Sequence, residues 1–134
     1  MKKKHKQTGN VIIPSKIINY LEKHEIEIAT ILSEYFNTDV EFIIPIDDYK
    51  RKSADIRMFG VEWEMKSPIG ASKSTIGNQF RFATKQSKNI IIDARRTKLN
   101  PIIVKQQILL EKKKRAVIKR VILIEKTGNV VEII

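Results

Sequence analysis

The segment Val61-Glu62-Trp63-Glu64-Met65-Lys66 alternates strictly between apolar and charged side chains, and no other feature restricts the chain as much. Side chains of a β-strand point alternately to its two faces. Val61, Trp63 and Met65 therefore form a core face, and Glu62, Glu64 and Lys66 the opposite one. The preceding residues Ala54 to Phe59 read as the partner strand of a hairpin turning at Phe59-Gly60. Folding about that turn sets Met58 against Val61, Arg57 against Glu62, Ile56 against Trp63 and Asp55 against Glu64. Directly opposed residues have Cβ atoms about 4.5–5.5 Å apart. Asp55 and Glu64 are thus expected side by side, on the face that carries Lys66. Phenylalanine suits the positive φ of the tightest turns poorly, and a slip of one residue would separate the pair.

Around this hairpin the chain alternates helix and strand patterns. Pro14-Ser15 opens a helix read over residues 15–36, with Ile18, Leu21, Glu25, Ile28, Leu32 and Tyr35 as its buried stripe. Glu25 is the exception on that stripe. A carboxylate there has to be paired, metal-bound or protonated, since burying a bare charge is costly; otherwise the helix rolls and Glu25 reaches solvent. Asp39 to Ile46 reads as a strand, residues 47–53 as a polar loop, and Ser72 or Ser74 as the cap of a helix running to about Ser87. Asn89 to Ala94 is a short apolar run suited to a central strand. Asn100-Pro101 starts a helix to about Arg115, and Arg120–Glu125 with Val130–Ile134 closes the chain as a hairpin. The order αβββαβαββ defines a single mixed α/β domain over residues 11–134, preceded by a basic arm, residues 1–10, expected to be disordered.

Composition narrows the function. The chain has 134 residues and no cysteine, which excludes disulfides and thiolate metal sites. No apolar run approaches the roughly 20 residues of a membrane span, and the basic N-terminus lacks the apolar stretch of a secretory signal. Lys and Arg total 26 against 15 acidic residues, a net charge of +11. Such an excess repels itself in the folded state, and an anionic partner offsets it. Nucleic acid is the first candidate, because neutralised phosphates release condensed counterions; an anionic membrane surface is the second. His5 and His24 are the only histidines, too few for a histidine metal cluster. No phosphate loop of the Walker type is present, and Trp63 reads as core.

Two adjacent carboxylates repel when both are ionised, and a shared proton or a cation relieves them. Hard oxygen ligands close together suit Mg²⁺ or Mn²⁺, which polarises a phosphate and activates water. Lys66 is placed to orient that water or to stabilise charge developing on the phosphate, and Glu25, from the helix packed nearby, would complete the site. The plainer alternative is an exposed sheet face whose Glu62, Glu64 and Lys66 form surface ion pairs. Asp55 in register, Glu25 on the apolar stripe and the basic charge favour the functional reading.

Asp55 followed by Glu64-Met65-Lys66, with a helix carrying Glu25 before and another helix after, resembles the PD-(D/E)xK nuclease superfamily. The run from Val61 to Pro68, through Lys85-Gln86-Ser87 to Asn89-Ile90-Ile91-Ile92-Asp93, is similar to C-terminal toxin domains of contact-dependent growth inhibition systems, several of which cut tRNA and others DNA. The resemblance implies a restriction-endonuclease-like αβββαβ core with an added C-terminal helix and β-hairpin. It implies Asp55 and Glu64 as metal ligands, Lys66 as catalytic lysine and Glu25 as the acid of the first helix, although alanine rather than proline precedes Asp55. It further implies a divalent metal (Mg²⁺ or Mn²⁺, with Zn²⁺ as an alternative), RNA and especially tRNA ahead of DNA as substrate, an immunity protein as partner, and delivery as a toxin that acts in the cytoplasm. Lys73, Arg81, Lys85 and Gln86, on the helix after the motif, are the expected nucleic-acid contacts, with Gln79 alongside. Arg95-Arg96, Lys98 and Lys112 to Arg115 are further basic clusters, the last explained by the preference of cations for helix C-termini. Two rival readings are a non-catalytic nucleic-acid-binding module and a metal-independent RNase.

Overall fold

A computed structural model describes residues 9–45 and 53–133 of the chain. Seven strands form one mixed sheet in the order β1-β2-β3-β4-β5-β6-β7: Val11–Ile12 (β1), Val40–Phe42 (β2), Ile56–Met58 (β3), Val61–Lys66 (β4), Asn89–Asp93 (β5), Arg120–Ile124 (β6) and Val130–Ile133 (β7). The helices are α1 (Lys23–Phe36), α2 (Thr75–Ala83) and α3 (Pro101–Lys114). β1 pairs parallel with β2, and β4 with β5 and β5 with β6 likewise, while the remaining neighbours are antiparallel. Parallel neighbours need a crossover, and α1, α2 and α3 supply one each.

The sheet separates two apolar layers. Ile28, Ala29 and Leu32 of α1 pack on Ile56, Trp63, Met65 and Ile91. Ile76, Phe80 and Ala83 of α2, with Val104 and Ile108 of α3, pack on Ile90, Ile92, Val121 and Leu123. β5 is buried at all of its residues, as its Asn89-Ile90-Ile91-Ile92 run requires of a strand covered on both faces.

The hairpin holds the register expected of it: Met58 opposes Val61, Arg57 opposes Glu62 and Ile56 opposes Trp63. It does so with Phe59 at φ 59° and Gly60 at φ 74°, both left-handed. The Phe59 ring stands edge-on to Phe36 with centroids 5.1 Å apart, and contacts of this kind contribute about 1 kcal/mol beyond burial, which offsets the backbone cost. Trp63 is core, its indole N–H donating to the Met58 carbonyl at 3.1 Å.

The first helix differs from expectation. Instead of one helix over 15–36, a 3-10 turn at Ile18–Tyr20 is followed by a break at Leu21 and by α1 from Lys23. The break is a capping box: Glu22 and Glu25 each accept the other's backbone N–H, satisfying two donors that the first turn leaves orphaned. The buried face rotates accordingly to Ile28, Ala29, Leu32 and Ser33, and Ile18 and Tyr35 of the expected stripe are exposed. The expected strand at 39–46 is observed only over Val40–Phe42, and most of the expected polar loop lies outside the described residues, as do residues 1–8 of the basic arm. The helix after the motif ends at Ala83 rather than Ser87, the chain continuing in turns closed by Gln86 N–H and Ser87 N–H to the Ala83 carbonyl.

Candidate functional site

β3 and β4 bring Asp55 and Glu64 together on the face covered by α2 and α3. The Asp55 N–H donates to the carbonyl of Trp63 at 3.0 Å, the residue that Ile56 opposes, so the backbone at Asp55 leaves the hairpin register by one residue. The Asp55 carboxylate in turn accepts the Met65 N–H at 2.8 Å. Glu64 is 3% exposed, and its carboxyl hydrogen-bonds that of Asp55. Lys66 Nζ lies 3.3 Å from Glu64 Oε2. Glu62, on the same face, is drawn off by Arg57 at 3.2 Å, so the surface ion-pair reading describes Glu62 and not Glu64.

The electrostatics follow from burial. Burial raises the Glu64 carboxyl to about 8, the Asp55 charge adds to that rise, and Lys66 opposes it. Burial also raises Asp55, against the hydrogen bond from Met65 and the charge of Lys66. Both shifts favour retention of a proton by the pair, and a divalent ion would compete with that proton. Among the described residues no group of three or more His, Cys, Asp or Glu is placed to hold a metal. Two carboxylates suffice for Mg²⁺ or Mn²⁺, which keep several waters and take the rest of their shell from phosphate. The donor set therefore fits such an ion, which Asp55 and Glu64 could hold.

Gln86 joins the pair. With its amide nitrogen turned inward it donates to Glu64 Oε1 at 3.3 Å and to the Ser53 carbonyl at 3.0 Å. Ser87 Oγ and Asn89 Nδ2 both donate to the Glu62 carbonyl, at 2.8 and 3.2 Å, and so clamp this turn to the start of β4. Lys73, Arg81 and Lys85 are exposed. Lys73 and Arg81 line a groove of about 370 Å³ between α2 and α3, with Lys114 and Arg115 across it. The latter two are held by buried Glu111, at 3.3 and 2.6 Å.

Glu25 requires a correction. The structure does not bring it to the pair: its carboxylate accepts the Glu22 N–H at 2.8 Å, on a helix that packs against the other face of the sheet. That face carries instead a cluster absent from the sequence reading. Asp93, fully buried at the end of β5, receives Arg95 in a two-pronged ion pair at 2.8 and 3.0 Å. Arg95 also reaches Glu27 at 3.1 Å, and Ser67 Oγ donates to Asp93 at 3.0 Å. Arg95 is thus neutralised internally rather than offered to a partner. The signal was an acid closing a run of isoleucines, with arginine two residues later.

Fold and site together define a mixed α/β domain with a carboxylate pair, one member buried and one half-buried, a lysine beside it and a basic helix following it. Residues 52–130, more than half of the chain, match the contact-dependent growth inhibition CdiA C-terminal domain family, and the chain belongs to that family. The match spans Asp55, Glu64, Lys66 and Gln86 but not Glu25. No curated protein matches. Among solved structures, a chain of the CdiA-CT/CdiI toxin and immunity complex from Burkholderia pseudomallei is similar with a TM-score of 0.66 at 17% identity, covering 93% of this chain and 98% of that one. At such identity the likeness concerns the fold.

Proposed function

We propose that this domain is a divalent-metal-dependent nuclease toxin with a restriction-endonuclease-like core, hydrolysing phosphodiester bonds in RNA, tRNA foremost, or DNA. The observation that carries the reading is the pairing of half-buried Asp55 with buried Glu64, with Lys66 at 3.3 Å from Glu64. A buried carboxyl beside a second acid is costly to a fold, and a phosphodiester-cleaving site gives it a use. A divalent ion held by Asp55 and Glu64 would supply Lewis-acid polarisation of the phosphate and a more acidic water. Lys66 offsets negative charge as it develops on the phosphate. Gln86 orients Glu64, and the cations of α2 hold flanking phosphates. Membership of the CdiA C-terminal family supports a toxin, delivered into a target cell and acting in its cytoplasm. The toxin and immunity complex among its structural neighbours supports an immunity protein as partner.

Incubating RNA and DNA with the protein and Mg²⁺, Mn²⁺, Zn²⁺ or excess chelator tests this. Cleavage is expected only with a divalent ion, and Glu64→Gln or Lys66→Ala is expected to lower it at least about 100-fold while the protein stays folded. Full cleavage in chelator would identify a metal-independent RNase instead. Salt-dependent binding without cleavage under any ion would identify a binding module.

A further inference from the structure

We propose that Phe82 is a stacking platform for an unpaired nucleobase at the entrance to the carboxylate pair, with Arg81 and Lys85 holding the phosphates beside that base. The proposal rests on the nuclease reading and names the form of nucleic acid the site takes.

Phe82 is 47% exposed, whereas Phe80 and Ala83 of the same helix are completely buried. An isolated exposed aromatic means little by itself. Its surroundings give it meaning. The Arg81 guanidinium carbon lies 4.7 Å from the ring centroid and the Lys85 ammonium 5.5 Å, so two cations are gathered at one ring. Neither has an acidic partner among the described residues, in contrast to Lys114 and Arg115 across the groove, which Glu111 holds. Residues 67–92 contain no Asp or Glu at all. The cations of this stretch therefore wait for anions from outside the chain. Gln86 stands four positions after Phe82, in the turn that follows α2, and its amide reaches Glu64, so only a short turn of chain separates the ring from the carboxylate pair.

An exposed ring with two cations gathered over it matches a nucleotide with its base exposed: the cations swing to the adjoining phosphates and the base takes the ring face they leave. Bases inside a duplex already stack on their neighbours and would have to be extruded first. The arrangement therefore selects single strands, loops or bulges.

Fluorescence anisotropy in chelator, with probe integrity checked on a gel, measures this directly. The probes are a short unpaired RNA, its DNA equivalent and a duplex of each. Phe82→Ala is expected to weaken binding of unpaired probes about 5- to 100-fold, the range of one lost stacking contact, and duplex binding less than about 2-fold. The salt dependence of binding stays unchanged, because the charges remain. Phe82→Leu, apolar but without a π-face, behaves like Phe82→Ala, and Phe82→Trp retains affinity. Equal affinity of Phe82→Ala and the native protein for unpaired probes, or full rescue by Phe82→Leu, would overturn the proposal while leaving the nuclease reading intact. Failure of the native protein to bind any probe in chelator would overturn the proposal, and cleavage with a divalent ion would then decide the nuclease reading separately. A preference for the RNA or the DNA probe with the same Phe82 dependence supports stacking and assigns the substrate.

Discussion

The backbone N–H of Met65 donates to Oδ2 of Asp55 at 2.8 Å. This bond ties the Asp55 carboxylate to the backbone of the residue that follows Glu64, so the meeting of the two acids is anchored in the main chain of β4 and does not depend on flexible side chains alone.

Glu64→Gln is expected to stabilise the metal-free protein at alkaline pH. The Glu64 carboxyl rises from 4.5 to about 8 on folding, so the folded state binds more protons than the unfolded state between those values. Stability consequently falls as pH rises through that window. The glutamine variant lacks this loss. Its advantage should be absent near pH 4.5 and reach on the order of 3 kcal/mol above pH 8, taking about 1.4 kcal/mol per unit and allowing for the proton shared with Asp55. Urea unfolding across pH in chelator measures it; a constant difference between the two proteins would refute the assignment.

Mn²⁺ should raise the thermal midpoint of the native protein, by the equivalent of about 2.7 kcal/mol at a hundredfold excess over the dissociation constant. Asp55→Asn and Glu64→Gln should abolish that rise. The native shift should also increase with pH, because the ligands must lose their proton to bind. Calorimetry with each protein separates site binding from a general ionic effect.

Glu25→Ala should cost about 1 kcal/mol of stability, the usual consequence of losing a helix cap, and leave cleavage within about twofold of native. A catalytic acid would lose far more. Parallel unfolding and cleavage assays decide between the two roles.

Asp93→Asn should be the most damaging of these changes, at about 3 kcal/mol or more, since it breaks a buried ion pair and leaves Arg95 partly uncompensated. Glu27→Gln, whose side chain is 43% exposed, should cost about 1 kcal/mol or less. Denaturant midpoints of the two variants test the contrast.

The parts of this domain that were legible in sequence are those decided by short-range rules. Alternation in Val61 to Lys66 and a two-residue turn determine the register from Met58–Val61 to Ile56–Trp63; Asp55, one step beyond, bonds the Trp63 carbonyl and meets Glu64 through its side chain, which no alternation rule reports. The break at Leu21-Glu22 was hidden because Glu22 and Glu25 look like ordinary surface acids within a continuous helical period, and only their reciprocal backbone bonds reveal a helix start. The pairing of Arg95 with Glu27 spans 68 positions, and no local pattern reports a contact of that range. Phe59 shows the converse case: a residue with poor turn propensity is kept in the turn by a ring 5.1 Å away on α1.

Every contact among Asp55, Glu64, Lys66 and Gln86 is made within residues 53–86. Closing so small a loop costs little chain entropy, and topologies rich in nearby contacts assemble quickly. The N-terminal helix, by contrast, is fastened through the long-range clasp of Arg95 and Glu27. A chain that unfolds would thus regain the arrangement of Asp55, Glu64, Lys66 and Gln86 from one contiguous stretch.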